Sequence, residues 1–339
     1  MRHVKWGIIG LGNIATKFAE AFKYSTNAKL LAVASKDENK IKYFKEKFNL
    51  EHNYCFDNYE KLIKSKEIDI VYIALPNSLH FEWISRCIEN NKKILVEKPA
   101  TMNTQEINSV QAKIGNIFFA EGLMYAYHPQ TLKVLELINE GIIGDLISME
   151  SNFGINILTK KNFFGFKIKK KINKESRIFN KELGGGAILD LGCYPVSFSS
   201  LIGLLNSKKK SDKINEKNIK KELGNTGVDI DSSAELYFEN GFKSIIRASL
   251  SEDLGQKSII RGSQGNIILE NTWTNYDTNI DIDNGSNKKI HITNTKNIYF
   301  YEIEALSKCI IQNKNKPEFP GINLEDTIRN TKILEEWLN

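Results

Sequence analysis

Several familiar signals are missing from this 339-residue chain. Its four cysteines, Cys55, Cys87, Cys193 and Cys309, lie far apart. No CxxC pair and no Cys/His cluster occurs, which argues against a structural zinc site. No apolar run approaches the roughly 20 residues that cross a membrane. The opening MRHVKWGIIGLGNIA is apolar only briefly and is broken by glycines. No small-residue cleavage site follows, so it reads as a strand and a turn rather than a secretory signal. Scattered thiols without such a signal fit a reducing cytoplasm. No repeat of solenoid period is present. Lysine far outnumbers arginine in a chain of formal net charge +6, and the lysines gather in two stretches, 159–176 and 207–221. Both read as solvated loops. The second lacks the interleaved aromatics and arginines of a nucleic-acid surface. Neither a nucleic-acid nor a membrane partner is expected.

What is present is ordinary in amount and ordered in pattern. At 41% hydrophobic and 26% charged residues the chain can bury a sizeable core, and its length favours two domains. VKWGIIG, KLLAVAS, IDIVYIAL, KKILVE and NIFFAEGL are apolar runs separated by segments of helical spacing. That alternation predicts a doubly wound parallel sheet. After Leu123 the pattern changes: one helix ends at Gly141, and then come strands joined by hairpin signals such as ENG and SQGN. The reading is α/β, with a dinucleotide-binding domain over 1–122. An α+β domain over 123–339 would carry a large, mostly antiparallel open sheet, substrate and oligomer contacts.

GIIGLGNIA places Gly10, Gly12, Asn13 and Ile14 in a GxGxxA turn between the first strand and the first helix. The first glycine suits the tight turn, the second lets backbone approach a pyrophosphate, and the helix N-terminus adds N–H donors. The second strand ends in AVASKDENK. Ser35 and Lys36 stand where an acid for a ribose 2′-hydroxyl is expected, with Lys40 one turn later. A hydroxyl and two ammonium groups favour a 2′-phosphate, so NADP(H) over NAD(H). Asp37 is the residual argument for NAD(H).

Two further stretches carry chemistry. VEKPATMN puts Glu97, Lys98 and Pro99 at the carboxyl end of a buried strand, where open α/β sheets bind ligands. GGGAILDLGCYP sets a glycine run before Asp190 and Tyr194. Together with ALPNSLH and EGLMYAYHP, in this order, these motifs resemble the Gfo/Idh/MocA oxidoreductase family over essentially the whole chain. The fit is best to the branch of dihydrodiol dehydrogenase, NADP-dependent xylose dehydrogenase and glucose–fructose oxidoreductase.

The resemblance implies an N-terminal Rossmann domain, an oligomer (homodimer or homotetramer) built through the open sheet, and a small carbohydrate or diol substrate. It implies that Lys98 is the catalytic lysine, and that Asp190 is the acid of a D-x-G-x-H motif whose histidine is Tyr194 here. Leu75, Pro76, Asn77 and His80 would lie near the nicotinamide. Tyr127, His128 and Arg177 are candidates for lining the substrate cleft, and Ala126 stands where relatives often carry arginine. Tyrosine's ordinary pKa of about 10 is high for a base, and a nearby ammonium such as Lys98 lowers it. A nucleotide-sugar or sugar-acid dehydrogenase and a non-catalytic NADP sensor remain alternatives.

Overall fold

The computed structural model describes residues 2–205, 214–273 and 277–339. They cluster into two units, one of Met1–His128 with Thr295–Ile328 and one of Pro129–Asn294 with Arg329–Asn339. The chain thus returns to the first unit after leaving the second.

In the first unit six strands form a wholly parallel sheet. They are β1 (Val4–Ile9), β2 (Ala28–Ala34), β3 (Cys55–Phe56), β4 (Ile70–Ile73), β5 (Lys93–Glu97) and β6 (Phe119–Gly122). The order β3-β2-β1-β4-β5-β6 reverses direction between β1 and β4, which makes the carboxyl ends of those two strands the ligand-binding crevice of such a sheet. Ile8, Ile9, Val71, Ile73, Ile94 and Val96 are fully buried, as a sheet covered on both faces demands. The helices α1 (Asn13–Ala21), α2 (Glu38–Phe48), α3 (Tyr59–Lys64), α4 (Asn77–Glu89) and α5 (Thr104–Lys113) connect the strands. β3 has no sequence signal because two residues carry no period. The returning helix Ile298–Ile311 is held by Trp6, whose indole N–H donates to Ser307 Oγ at 3.0 Å. Tyr299 packs edge-on against Phe18.

The second unit holds an eight-stranded sheet and a small hairpin. Its elements are α6 (Pro129–Asn139), β7 (Leu146–Gly154), β8 (Thr159–Lys161), β9 (Lys167–Lys169), α7 (Cys193–Gly203), β10 (Ile214–Leu223), β11 (Asp229–Phe238), β12 (Lys243–Ser249), β13 (Ser258–Gly262), β14 (Gly265–Leu269), β15 (Thr278–Asp283) and β16 (Lys288–Ile292). The order is β10-β11-β12-β7-β13-β14-β15-β16, antiparallel except where β12 runs parallel to β7. α7 packs on β7 and β12, and α6 on β15. A buried hydroxyl pair, Ser199 with Ser244 at 2.7 Å, joins α7 to β12, and another, Ser151 with Ser258 at 2.8 Å, joins β7 to β13. The apolar segment Lys181–Gly203 has the length and hydropathy of a membrane span, but 89% of its apolar window is buried in the fold.

Two loop readings change. Within 159–176, β8 and β9 pair as a hairpin. Within 207–221, residues up to 213 lie outside the described residues, but 214–221 belong to β10, an edge strand of the large sheet. An edge strand hydrogen-bonds on one side only, and here a single residue, Ile214, is buried. It therefore tolerates a lysine-rich sequence that shows no alternation.

Candidate functional site

At the switch point of the parallel sheet, Gly10 has φ +86°, and a Cβ there would sit 2.5 Å from Ala74 O at the end of β4. Only glycine lets β1 turn this close to β4. Gly12 is the N-cap of α1 and offers no side-chain cap. A Cβ on it would meet nothing within 4 Å. By contrast Asp37, Asn58 and Asn103 cap α2, α3 and α5 with their side chains. The first-turn N–H groups of α1, at Asn13 and Ile14, are thus left to a ligand in open space, which suits a pyrophosphate.

Beyond β2, Ser35 is buried and its Oγ accepts from Asp37 N at 3.1 Å. The Asp37 carboxylate accepts from Asn39 N and Lys40 N at 3.0 and 3.3 Å. It is engaged as a helix cap, which weakens it as a ribose acceptor. Lys36 and Lys40 are exposed.

Pro76 is the N-cap of α4, Leu75 precedes it and Asn77 is buried. His80 is fully buried, with Nδ1 2.8 Å from Pro99 O and Nε2 2.9 Å from Leu75 O. A carbonyl oxygen only accepts, so whichever ring nitrogen carries the proton donates to its carbonyl. The imidazole ties the turn after β4 to the turn after β5, a structural role. Lys98 is half-buried, and its N–H donates to Glu97 Oε2 at 3.3 Å. The Tyr72 hydroxyl donates to the other oxygen of Glu97.

Beneath this turn lie carboxylates that the sequence reading missed. Glu121 accepts from Ala100 N and from Thr327 Oγ1, each at 3.0 Å, and burial pushes it up to about 7. Glu302 is buried, and burial, reinforced by the charge of Glu97, pushes it well above the usual carboxylate range. An acid, Glu302, set between Tyr301 and Ile303 in the run IYFYEIEALSKCII was the available signal. Tyr127 is buried under Gly321, with its hydroxyl unpartnered among the described residues. His128 stacks edge-on against Tyr301, and burial lowers it to about 4.

In the second unit, Arg177 Nη2 donates to Asp190 Oδ1 at 2.6 Å. Asp190 lies in a single wide turn, Ile188–Gly192, that leads into α7. Such π-type turns are frequent at functional sites. The glycine run serves the fold's own packing. A Cβ on Gly185 would lie 2.5 Å from Arg177 O, and one on Gly186 (φ +111°) 2.2 Å from Asp229 Oδ1. Asp229 is a further residue missed in the sequence: it accepts from Ile188 N at 2.7 Å, and burial raises it. The Tyr194 ring is 7% exposed and packs 5.3 Å from Phe153 and 5.6 Å from Trp273, centroid to centroid.

Comparison with known proteins gives two family matches. Residues 4–115 match the oxidoreductase family with an NAD-binding Rossmann fold, and residues 131–268 match the GFO/IDH/MocA C-terminal domain. Among curated proteins, a trans-1,2-dihydrobenzene-1,2-diol dehydrogenase of Xenopus tropicalis is 28% identical, over 98% of this chain and 97% of its own length. A dTDP-3,4-didehydro-2,6-dideoxy-alpha-D-glucose 3-reductase of Actinomadura kijaniata is 30% identical over 58% of this chain and 55% of its own length. Among solved structures, a 3-ketoreductase from Actinomadura kijaniata with NADP and TDP-benzene superposes with TM-score 0.82. It is 22% identical over 98% of this chain and 96% of that one. An aldose-aldose oxidoreductase from Caulobacter crescentus with glycerol gives 0.83 at 18% identity, over 99% and 96% of the two chains. At such identities the superpositions speak for the fold.

Proposed function

The chain belongs to the GFO/IDH/MocA oxidoreductases, and from that premise we propose that it transfers hydride between NADP(H) and a secondary alcohol or carbonyl of a sugar, polyol or diol. The observation that carries the reading is at the end of β2. Lys36 and Lys40 are exposed there, and the acid placed to meet a ribose, Asp37, is engaged by the amides of α2. Two ammonium groups suit a 2′-phosphate.

A bound nicotinamide supplies or takes the hydride at C4. Tyr194 is assigned the proton at the reacting oxygen. Lys98 is assigned the positive charge that stabilises this oxygen as an alkoxide. Asp190, aimed by Arg177, is assigned a neighbouring hydroxyl of the substrate. The second unit is read as the substrate domain and, through the outer face of its sheet, as the surface of a homodimer or homotetramer. The cytoplasm is the proposed location.

The first test is equilibrium binding of NADPH and NADH by cofactor fluorescence. Wild type is expected to prefer NADPH, and Lys36→Ala/Lys40→Ala to lose at least about tenfold for NADPH alone. Equal or tighter NADH binding by the wild type would overturn the phosphate assignment. Arg177→Met is expected to lower turnover while shifting stability by less than about 1 kcal/mol, because the ion pair is partly exposed. Unchanged turnover would show that the aim of Asp190 is irrelevant.

A second reading is a nucleotide-sugar ketoreductase, favoured by the similarity to the Actinomadura kijaniata dTDP-sugar reductase. Competitive inhibition of turnover by free dTDP would support it, and indifference to dTDP would leave the polyol or diol reading.

A further inference from the structure

The β8–β9 hairpin presents the most exposed apolar surface in the described chain. Phe163 is 98% exposed, Phe164 77% and Phe166 68%, the three highest values among the large hydrophobic side chains described. Three such rings within four positions are not the scattered single exposures of an ordinary surface. They are held outward by an ordered turn. Asn162 Oδ1 accepts from Phe164 N at 3.0 Å and from Phe166 N at 2.9 Å, and Asn162 N donates to Phe166 O at 2.9 Å. The aromatic contact recorded for these rings is between Phe163 and Phe164 themselves.

Charge surrounds this apex. Residues 159–176 carry seven lysines and one glutamate, a net +6. The whole chain, with 47 Lys and Arg against 41 Asp and Glu, also has +6, so the remaining residues sum to zero. Lys161 lies directly across the hairpin from Lys167. A like-charge cross-strand pair is destabilising unless something anionic faces it. None of the hairpin lysines is ion-paired with a carboxylate among the described residues.

We propose that this hairpin docks the protein on an anionic lipid surface, with the phenylalanine apex entering the headgroup boundary and the lysines meeting lipid phosphates. The rings gather at the turn of the hairpin and most of the lysines on its two strands. The rings occupy the tip, and Lys160, Lys161, Lys167 and Lys169 form the collar behind it. The collar lysines lie one to three residues from the nearest ring, roughly 3–10 Å at about 3.3 Å per residue. That range overlaps the depth, about 5–10 Å, to which interfacial apolar faces are buried. A nucleic-acid groove instead places cations between stacking aromatics. Lying on a surface needs no spanning helix, so the arrangement is compatible with the buried state of Lys181–Gly203.

The test is flotation of the full chain with vesicles of phosphatidylcholine alone or mixed equally with phosphatidylglycerol, at low and high salt. Wild type is expected to float with the mixed vesicles at least about tenfold more than with neutral ones, and to be released by salt. Phe163→Ser/Phe164→Ser/Phe166→Ser is expected to lose most of that binding with melting temperature and NADPH binding unchanged. Absence of flotation by the wild type would overturn the proposal. So would full binding by the triple serine variant, which would reduce the contact to charge alone. Binding of single-stranded RNA without vesicle binding, or self-association of the wild type that the triple variant abolishes without vesicle binding, would assign the hairpin to those partners instead.

Discussion

Tyr194→Phe is expected to lower turnover by about two to four orders of magnitude and to leave NADPH binding within about twofold of wild type. The substitution is clean because the ring is 7% exposed and wedged between Phe153 and Trp273, contacts that phenylalanine keeps. What is lost is the hydroxyl, and with it the proposed proton carrier. Lys98→Met should fall by a similar factor, since methionine keeps much of the stem of this half-buried side chain and removes the charge. Steady-state kinetics on a reactive sugar or diol, with cofactor fluorescence in parallel, reads both. If the tyrosine variant turns over near the wild-type rate, the phenol is not the proton carrier. If both variants fail to bind NADPH, the loss is one of folding and the kinetic result carries no weight.

The second large effect concerns stability. Glu121 is buried and raised from 4.5 to about 7. A carboxylate that binds its proton more tightly in the folded state contributes stability that is fully present below about pH 4.5. That contribution is lost as the pH rises through about 7. A difference of this size corresponds to about 3 kcal/mol. Glu121→Gln removes the titration while its amide can still face Ala100 N–H and the Thr327 hydroxyl, the two donors Glu121 now accepts from. Denaturation at pH 5 and pH 8 should therefore show a smaller loss of stability for the variant than for wild type, and a more stable variant at pH 8. Identical pH slopes would mean that Glu121 does not titrate in this range.

The parallel sheet was legible because buried parallel strands write themselves as unbroken apolar runs between helical spacings. The GxGxxA turn was legible because only glycine satisfies the contact of Gly10 with Ala74 O. The family resemblance rests on motifs spread along the chain, and the two domain matches agree with it. Other features are set by partners distant in sequence. The glycine run of GGGAILDLGCYP was readable as a motif, but not that the neighbours of Gly185 and Gly186 are Arg177, Ile178 and Asp229. The resemblance put His80 near the nicotinamide, in contact or in a supporting role, and its nitrogens turn to the Leu75 and Pro99 carbonyls. Asp37 was the residual argument for NAD(H), and it caps a helix. In each case the residue type was readable and its partner was not, because a single sequence does not state which backbone passes within 3 Å. β10 was hidden for another reason: a strand paired on one side needs no apolar alternation.

The lysine-rich margin of the large sheet has a consequence for how copies of this chain can meet. Lys217, Lys220 and Lys221 lie along β10 at one border, and Lys288 and Lys289 along β16 at the other. A second sheet approaching either border to extend the ladder meets charged side chains, these lysines with Glu216 and Glu222 on β10, before any amide finds a carbonyl. End-to-end growth into ribbons is thereby opposed at both limits. Copies that associate through this sheet must do so broadside, and broadside contacts between like faces close on themselves at a small, fixed number of subunits.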